Sequence, residues 1–175
     1  IMSSEIGANV ALIDHHCHGV MPNDLTLAQF EDSLSEAFAP APAGTSHWDK
    51  PVTLSIRRWC APLLDLPKFA SPEDYVARRL ESGASEVNQR FMRAAGFEML
   101  LVDSGNRPEE LCSVEELGVI ADAPAREVVR MESVAERVAS GGGISAAGYA
   151  DAFEAALRAS LHDNVVGLKT VIAYR

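Results

Sequence analysis

The tripeptide His16-Cys17-His18 concentrates more reactive chemistry than any other part of the chain. In an extended segment residues i and i+2 project from one face, so both imidazoles can reach one metal ion while Cys17 points the other way. Neutral imidazole suits Zn²⁺, with Mn or Fe as alternatives, and a catalytic site of this type keeps one position open for water. The plainer reading is a turn histidine beside a buried one, because an isolated H-x-H is a weak motif. Its place directly after Val10-Ala-Leu-Ile13, an apolar run of the kind found in buried parallel strands, favours metal binding. His15 and Cys17 add two further donors, yet a closed zinc knot draws on two separated ligand pairs and no C-x₂-C or H-x₃-H partner occurs. Asp14 either orients a ligand histidine or caps the strand end.

Lys169 is the second informative residue. It sits inside the apolar run 165–173, where a lysine either faces solvent at a sheet edge or projects into a functional interior, since an unpaired buried ammonium is too costly. Arg130 and Glu132 share one face of a third strand and either line a cavity mouth, with Arg130 as a fork for a substrate carboxylate, or pair with each other. Arg57-Arg58 precedes Trp59 in a helical stretch, where Arg58 is either an anion-binding residue on a lid or part of a solvated face. Tyr174 and Arg175, just beyond the last strand, are weaker candidates for substrate contact.

The elements that must position these residues alternate in type. Strands are expected near 8–15, 97–103, 126–132 and 165–173, with the histidines, Asp103, Ser104, Arg130 and Glu132 at or near strand ends. Thr26-Leu-Ala-Gln29 and Ser113-Val-Glu-Glu116 have the form of capping boxes, and Leu27, Phe30, Leu34 and Phe38 recur at helical spacing over about three turns. Ser71-Pro72-Glu73-Asp74 opens a helix through Leu80, with another over 85–95; residues 39–50 read as a loop. A helix runs from about 113 to 121, helix-prone residues lead from the third strand to Ser140, and Ser145 to Leu161 forms another helix. The stretch 24–95 is thus mostly helical and too long for a simple crossover, which makes it an insertion. Alternating strands and helices imply a parallel sheet, either half of a (β/α)₈ barrel or one side of an open doubly wound sheet. Polar groups gathered at strand ends, and no glycine-rich phosphate loop after the first strand, favour the barrel.

With 175 residues, 47% hydrophobic and 23% charged, the chain can build one substantial core. A formal net charge of -10 argues against nucleic-acid partners, which are met by clustered Lys and Arg. No apolar run approaches the roughly 18 residues of a membrane span, no signal-peptide pattern opens the chain, and three irregularly spaced cysteines suit reduced thiols, so the expected setting is cytoplasmic. Because the sequence ends directly after an apolar run, it is expected to be a segment of a longer chain, and alone to aggregate or associate as a homo-oligomer.

Taken together, Leu12-Ile-Asp-His-His-Cys-His-Gly19, Leu101-Val-Asp-Ser-Gly105, Val128-Val-Arg-Met-Glu-Ser133 and 166–175 resemble the amidohydrolase-related family, in the branch fused to glutamine-synthetase-like domains. The resemblance implies the first half, strands one to four, of a distorted (β/α)₈ barrel over 1–175. It implies His16 and His18 as metal ligands and Lys169, carboxylated by CO₂, as a bridge between two ions, or a site of one ion without it. The family's later histidines and aspartate have no counterpart here, since His47 falls in a loop and His162 at a helix end. The implied activity is hydrolysis of an amide or ester in a small-molecule substrate through metal-activated water. A decarboxylase, a sugar-acid isomerase or a non-catalytic assembly module uses the same parts.

Overall fold

The computed structural model describes residues 10–35 and 40–174, which divide into a sheet unit, made of the chain up to Val20 and from Gly96 onward, and a helical unit, Met21–Ala95. In chain order the elements are strand β1 (Leu12–Cys17), helices α1 (Leu27–Ser33), α2 (Pro51–Trp59), α3 (Pro72–Ser82) and α4 (Ala84–Ala95), then β2 (Phe97–Asp103), α5 (Val114–Ala121), β3 (Ala125–Arg130), α6 (Met131–Ser140), α7 (Tyr149–Ala159) and β4 (Val165–Lys169). Among the described residues no helix is long and apolar enough to cross a membrane.

The four strands form one sheet in the order β1-β2-β3-β4, every pair parallel, as helical crossovers between consecutive strands require. The class is therefore α/β. Along β1 the residues Asp14 and Cys17 pair with Leu100 and Val102, so β1 carries one residue more than β2 over this stretch. That bulge lies at His15-His16, and a bulge bends a strand and re-aims its side chains. Its effect is to keep β1 paired through Cys17, two residues beyond the expected end; residues 8 and 9 of the expected strand lie outside the described residues.

Leu100, Val102 and Val129 project to one side of the sheet and are 0%, 1% and 6% exposed. α5 lies against β2 and β3, and its buried Val114, Leu117 and Ala121, with Val134 of α6, supply other buried apolar side chains of this unit. Continuous apolar strands suggest burial on both faces, but Leu12, Ile13, Val166 and Leu168 are 50%, 53%, 52% and 47% exposed. The reason is topological: among the described residues β1 and β4 are the sheet's outer strands, each with one neighbour.

Two of the boundary differences move a candidate residue. β3 stops at Arg130, so Glu132 stands in the first turn of α6 and does not share a strand face with Arg130. β4 stops at Lys169, opposite Arg130 where its partner β3 ends; Ile172–Tyr174 is a 3₁₀ turn. Glu132 holds the chain between them, accepting hydrogen bonds from the Thr170 hydroxyl and, at 2.9 Å, from the Val171 N–H.

In the helical unit Phe30, Trp48, Leu64, Tyr75, Val76 and Val87 are buried together, with Phe30 stacked on Trp48 at 5.3 Å. The capping box at Thr26 opens α1, whose helix ends at Ser33; Phe38 lies outside the described residues. Within the expected 39–50 loop, Ser46 caps a 3₁₀ turn at His47–Asp49. In the sheet unit α7 begins at Tyr149, because Ser145 to Gly148 form a turn of their own.

Candidate functional site

The candidate site gathers at the C-terminal ends of all four strands, where the sheet unit brings together His16, His18, Asp103, Arg130 and Lys169. Asp103, the last residue of β2, is 2% exposed and is the hub. Its Oδ2 accepts from Lys169 Nζ at 2.9 Å and from Arg130 through Nε at 3.1 Å and also through Nη2; its Oδ1 accepts from the Gly105 N–H at 3.0 Å. Burial pushes the Asp103 carboxyl upward, but the hydrogen bonds from Arg130 and Lys169 outweigh it and hold the group below the usual carboxylate range. A carboxylate here answers two cations that would otherwise be packed side by side at the register pair Arg130 and Lys169.

Lys169 Nζ also lies against His16, 3.1 Å from Nε2 and 3.3 Å from Nδ1. A neutral imidazole has one acceptor nitrogen, so at most one of these contacts is a hydrogen bond. The His16 pKa is lowered, first by burial and then by the Lys169 ammonium and by His18, which leaves the ring neutral at pH 7. His18, just past β1, stands edge-on to His16 with ring centroids 5.3 Å apart. Its Nδ1 is 3.1 Å from the backbone carbonyl of Asp103, and a proton on Nδ1 donates there and leaves the Nε2 lone pair open.

Two glycines allow this convergence. A Cβ on Gly19 would stand 2.3 Å from the Cys112 carbonyl oxygen, so only glycine lets the chain leave His18 at that distance from the 107–112 loop. The approach is fixed by the Cys112 N–H donating to Val20 O at 2.9 Å. A Cβ on Gly105 would stand 2.6 Å from both Arg130 Cβ and Ser133 Oγ, which the tight turn after Asp103 brings close.

The other residues singled out in the sequence fall elsewhere. Asp14 accepts from the backbone N–H of His16 at 3.1 Å, so its carboxylate is tied to the bulge inside β1, and the strand runs on past it to Cys17. Cys17 turns away with Sγ 3.6 Å from Leu101 O, and burial, then Asp14, pushes its thiol up to about 11. Arg130 does not pair with Glu132; it is held by Asp103. Arg58 belongs to the helical unit, exposed on α2, with its guanidinium 4.9 Å from the centre of the Trp59 ring. Its neighbour Arg57 donates to the Ala70 and Phe69 carbonyls at 2.6 and 2.9 Å. Tyr174 ends the last 3₁₀ turn, but its side chain and Arg175 lie outside the described residues. His162 Nε2 is 2.8 Å from Glu127 Oε2, and Glu127 also accepts from Ser104.

Asp103 is the residue at the centre of this cluster that sequence reasoning left without a role. It was visible as a carboxylate at a strand end, but nothing local reports that Arg130 and Lys169 come from neighbouring strands to meet it. Among the described residues no three His, Cys, Asp or Glu side chains are arranged to hold a metal ion by themselves. His16 and His18 carry imidazole nitrogens of the kind that suit zinc, while Lys169 is an ammonium held by Asp103.

Comparison with family models finds no match, and comparison with curated proteins finds none either. Among solved structures the chain is similar to a protein of Lactobacillus casei ATCC 334 provisionally named a metal-dependent hydrolase, at 24% identity and a TM-score of 0.65. The likeness covers 98% of this chain and 45% of that one, so the chain spans less than half of that protein's length and shares the fold of that part.

Proposed function

We propose that this chain carries the front part of a metal-dependent hydrolase of the amidohydrolase kind, the first four strands of a (β/α)₈ barrel with 24–95 as a helical insertion. The observation that carries the proposal is the meeting of His16, His18 and Lys169, from opposite edges of a parallel sheet, at its C-terminal end. That is the end at which barrels of this architecture place their chemistry. The name of the Lactobacillus casei protein agrees with it.

The residues fit a metal as far as they go. His18 has its Nδ1 engaged and Nε2 open, His16 is neutral, and both suit zinc, with manganese or iron as alternatives. When bound, a divalent metal supplies Lewis acidity toward an amide or ester carbonyl and acidifies water, the chemistry of C–N and C–O hydrolysis. Lys169 enters as a ligand once its nitrogen is free of Asp103. Carboxylation would take one proton from the ammonium to give the neutral amine and a second as CO₂ joins the nitrogen, turning a cation into an anion and ending its attraction to that carboxylate. Arg130, with its guanidinium on Asp103, serves the site as a fixed countercharge, and Tyr174 and Arg58 remain candidates for substrate contact.

The test is metal content in the full chain. His16→Ala and His18→Ala should each remove zinc measured by elemental analysis. Lys169→Ala should do so as well, with recovery when a short carboxylic acid is supplied to replace the bridge. Wild-type metal content in all three variants would sink the proposal.

A further inference from the structure

α2 and the 3₁₀ turn after it, Ala61–Leu64, bury one side and leave apolar groups open on the other. Thr53 is 0% exposed and Ile56 and Cys60 pack on the core of the helical unit, while Trp59, Leu63 and Phe69 are 62%, 38% and 47% exposed. All three ride on backbone fastened to the end of α2: the Leu63 N–H donates to Cys60 O at 3.1 Å, and the Phe69 N–H to Arg57 O at 2.9 Å. Phe69 is moreover left-handed, with φ at 61°, and the Arg57 guanidinium holds it there through the Phe69 and Ala70 carbonyls at 2.9 and 2.6 Å. A bulky residue in that conformation is strained and persists only where its surroundings fix it. The core gains little from the strain, because Phe69 is half exposed.

The charges around this surface run against the net charge of -10. Residues 50–70 carry Lys50, Arg57, Arg58 and Lys68 against Asp65 alone, and Arg90 takes Asp65 at 3.2 Å. Residues 21–49 of the same unit carry five carboxylates, the exposed Asp24 and Asp32 among them, and no Lys or Arg. Both segments pack on one core, the first through Leu64 and the second through Phe30 and Trp48. One unit therefore offers an aromatic and basic surface together with an acidic segment, a pair that a two-fold axis brings together twice. Exposed Trp with neighbouring Arg is also the composition of interface hot spots.

We propose that the Trp59 face is an interface between two copies of this chain, in which Arg58, Trp59 and Phe69 of one copy meet the acidic 24–32 segment of the other. An anionic lipid surface suits a Trp between basic residues as well, but the net charge of -10 repels the chain from it, whereas a second copy brings the carboxylates. The inference is independent of the metal-centre reading.

The experiment follows acrylamide quenching of tryptophan fluorescence in the full chain across a concentration series, with sedimentation velocity alongside. Trp48 is 5% exposed, so the quenchable indole is that of Trp59, and association through another surface leaves it open. Quenching of the wild type should fall as the dimer forms. Arg58→Glu with Lys68→Glu reverses the aromatic face, and Asp24→Lys with Asp32→Lys reverses the acidic segment. Neither variant alone should protect Trp59, because like charges then meet twice, and an equal mixture of the two should restore protection. Protection in either variant alone, none in the mixture, or wild-type quenching that ignores concentration overturns the inference. Protection by phosphatidylserine vesicles and not by a second copy assigns the face to lipid and overturns it too. The four substituted residues are exposed. Should a reversal still lower the thermal midpoint, Arg58→Gln with Lys68→Gln takes its place and should weaken protection at every concentration; unchanged protection then overturns the inference.

Discussion

At the scale of single residues, the chemistry is decided by what each polar group is tied to. Cys17 lies between the two candidate ligand histidines, and thiolate is an excellent zinc donor, but this thiol is turned away from them. Its Sγ lies against the Leu101 carbonyl on the neighbouring strand, and burial with Asp14 nearby raises the thiol to about 11. At pH 8 a thiol of that pKa is roughly a hundredfold or more less ionised than an ordinary cysteine near 8.5. Iodoacetamide should therefore modify Cys17 at least about a hundred times more slowly than a free thiol at pH 8, with the rate still rising above pH 10. Mass spectrometry of the modified peptide gives that rate, and Cys17→Ser should keep full metal content. Labelling at the speed of a free thiol would show that the Leu101 contact does not hold in solution. The H-x-H pair and the opposite facing of Cys17 were legible because alternation along a strand is a local rule. Asp103 was not, because its meaning comes from two cations 27 and 66 residues away.

At the scale of elements, capping chemistry was the most readable feature and strand ends the least. Ser113 and Glu116 cap α5 reciprocally as the S-x-x-E spacing implies, with the Ser113 N–H donating to the Glu116 carboxylate at 2.8 Å and the Glu116 N–H to Ser113 Oγ at 3.2 Å. The start of α6 has no such signal. Its N-cap is Arg130, whose side chain makes no cap hydrogen bond, so Arg130-Met131-Glu132 looks like a strand continuing its alternation. The bulge in β1 is equally silent, since it is defined only by the register against β2. What holds the readable elements in place is burial: Leu117 of α5 and Leu100 of β2 are both 0% exposed. Leu117→Ala should destabilise the protein by about 2–5 kcal/mol through lost transfer energy and the cavity left behind. Ser113→Ala should cost only about 1 kcal/mol. Urea midpoints rank the two, and a larger cost for Ser113→Ala would mean that α5 is held by its cap more than by its packing.

At the scale of the molecule, the sheet unit is one-sided in an informative way. Order and direction of the strands followed from alternating elements, and the sheet agrees, yet the strands were expected to be covered on both faces. The buried Leu100, Val102 and Val129 of the middle strands all lie on one face, while Leu12 and Ile13 on β1 and Val166 and Leu168 on β4 stay about half exposed. Sequence patterning reports that a strand is apolar, not whether a neighbour covers it, which is why the outer strands were misjudged. Each outer strand also has one side without a strand partner among the described residues, so its backbone groups there are open to pairing with another chain. A net charge of -10 opposes association at low ionic strength, and salt screens that repulsion over a Debye length of about 8 Å at physiological strength. Expressed as these 175 residues, the chain should therefore self-associate in sedimentation velocity, more strongly as salt and concentration rise. Val166→Lys with Leu168→Lys, placed on the exposed positions of β4, should reduce association without lowering the thermal midpoint, because neither side chain is buried. A chain that stays monomeric across concentration and salt would show that its outer strands are protected already. Association unchanged by the two lysines would place the contact on another surface.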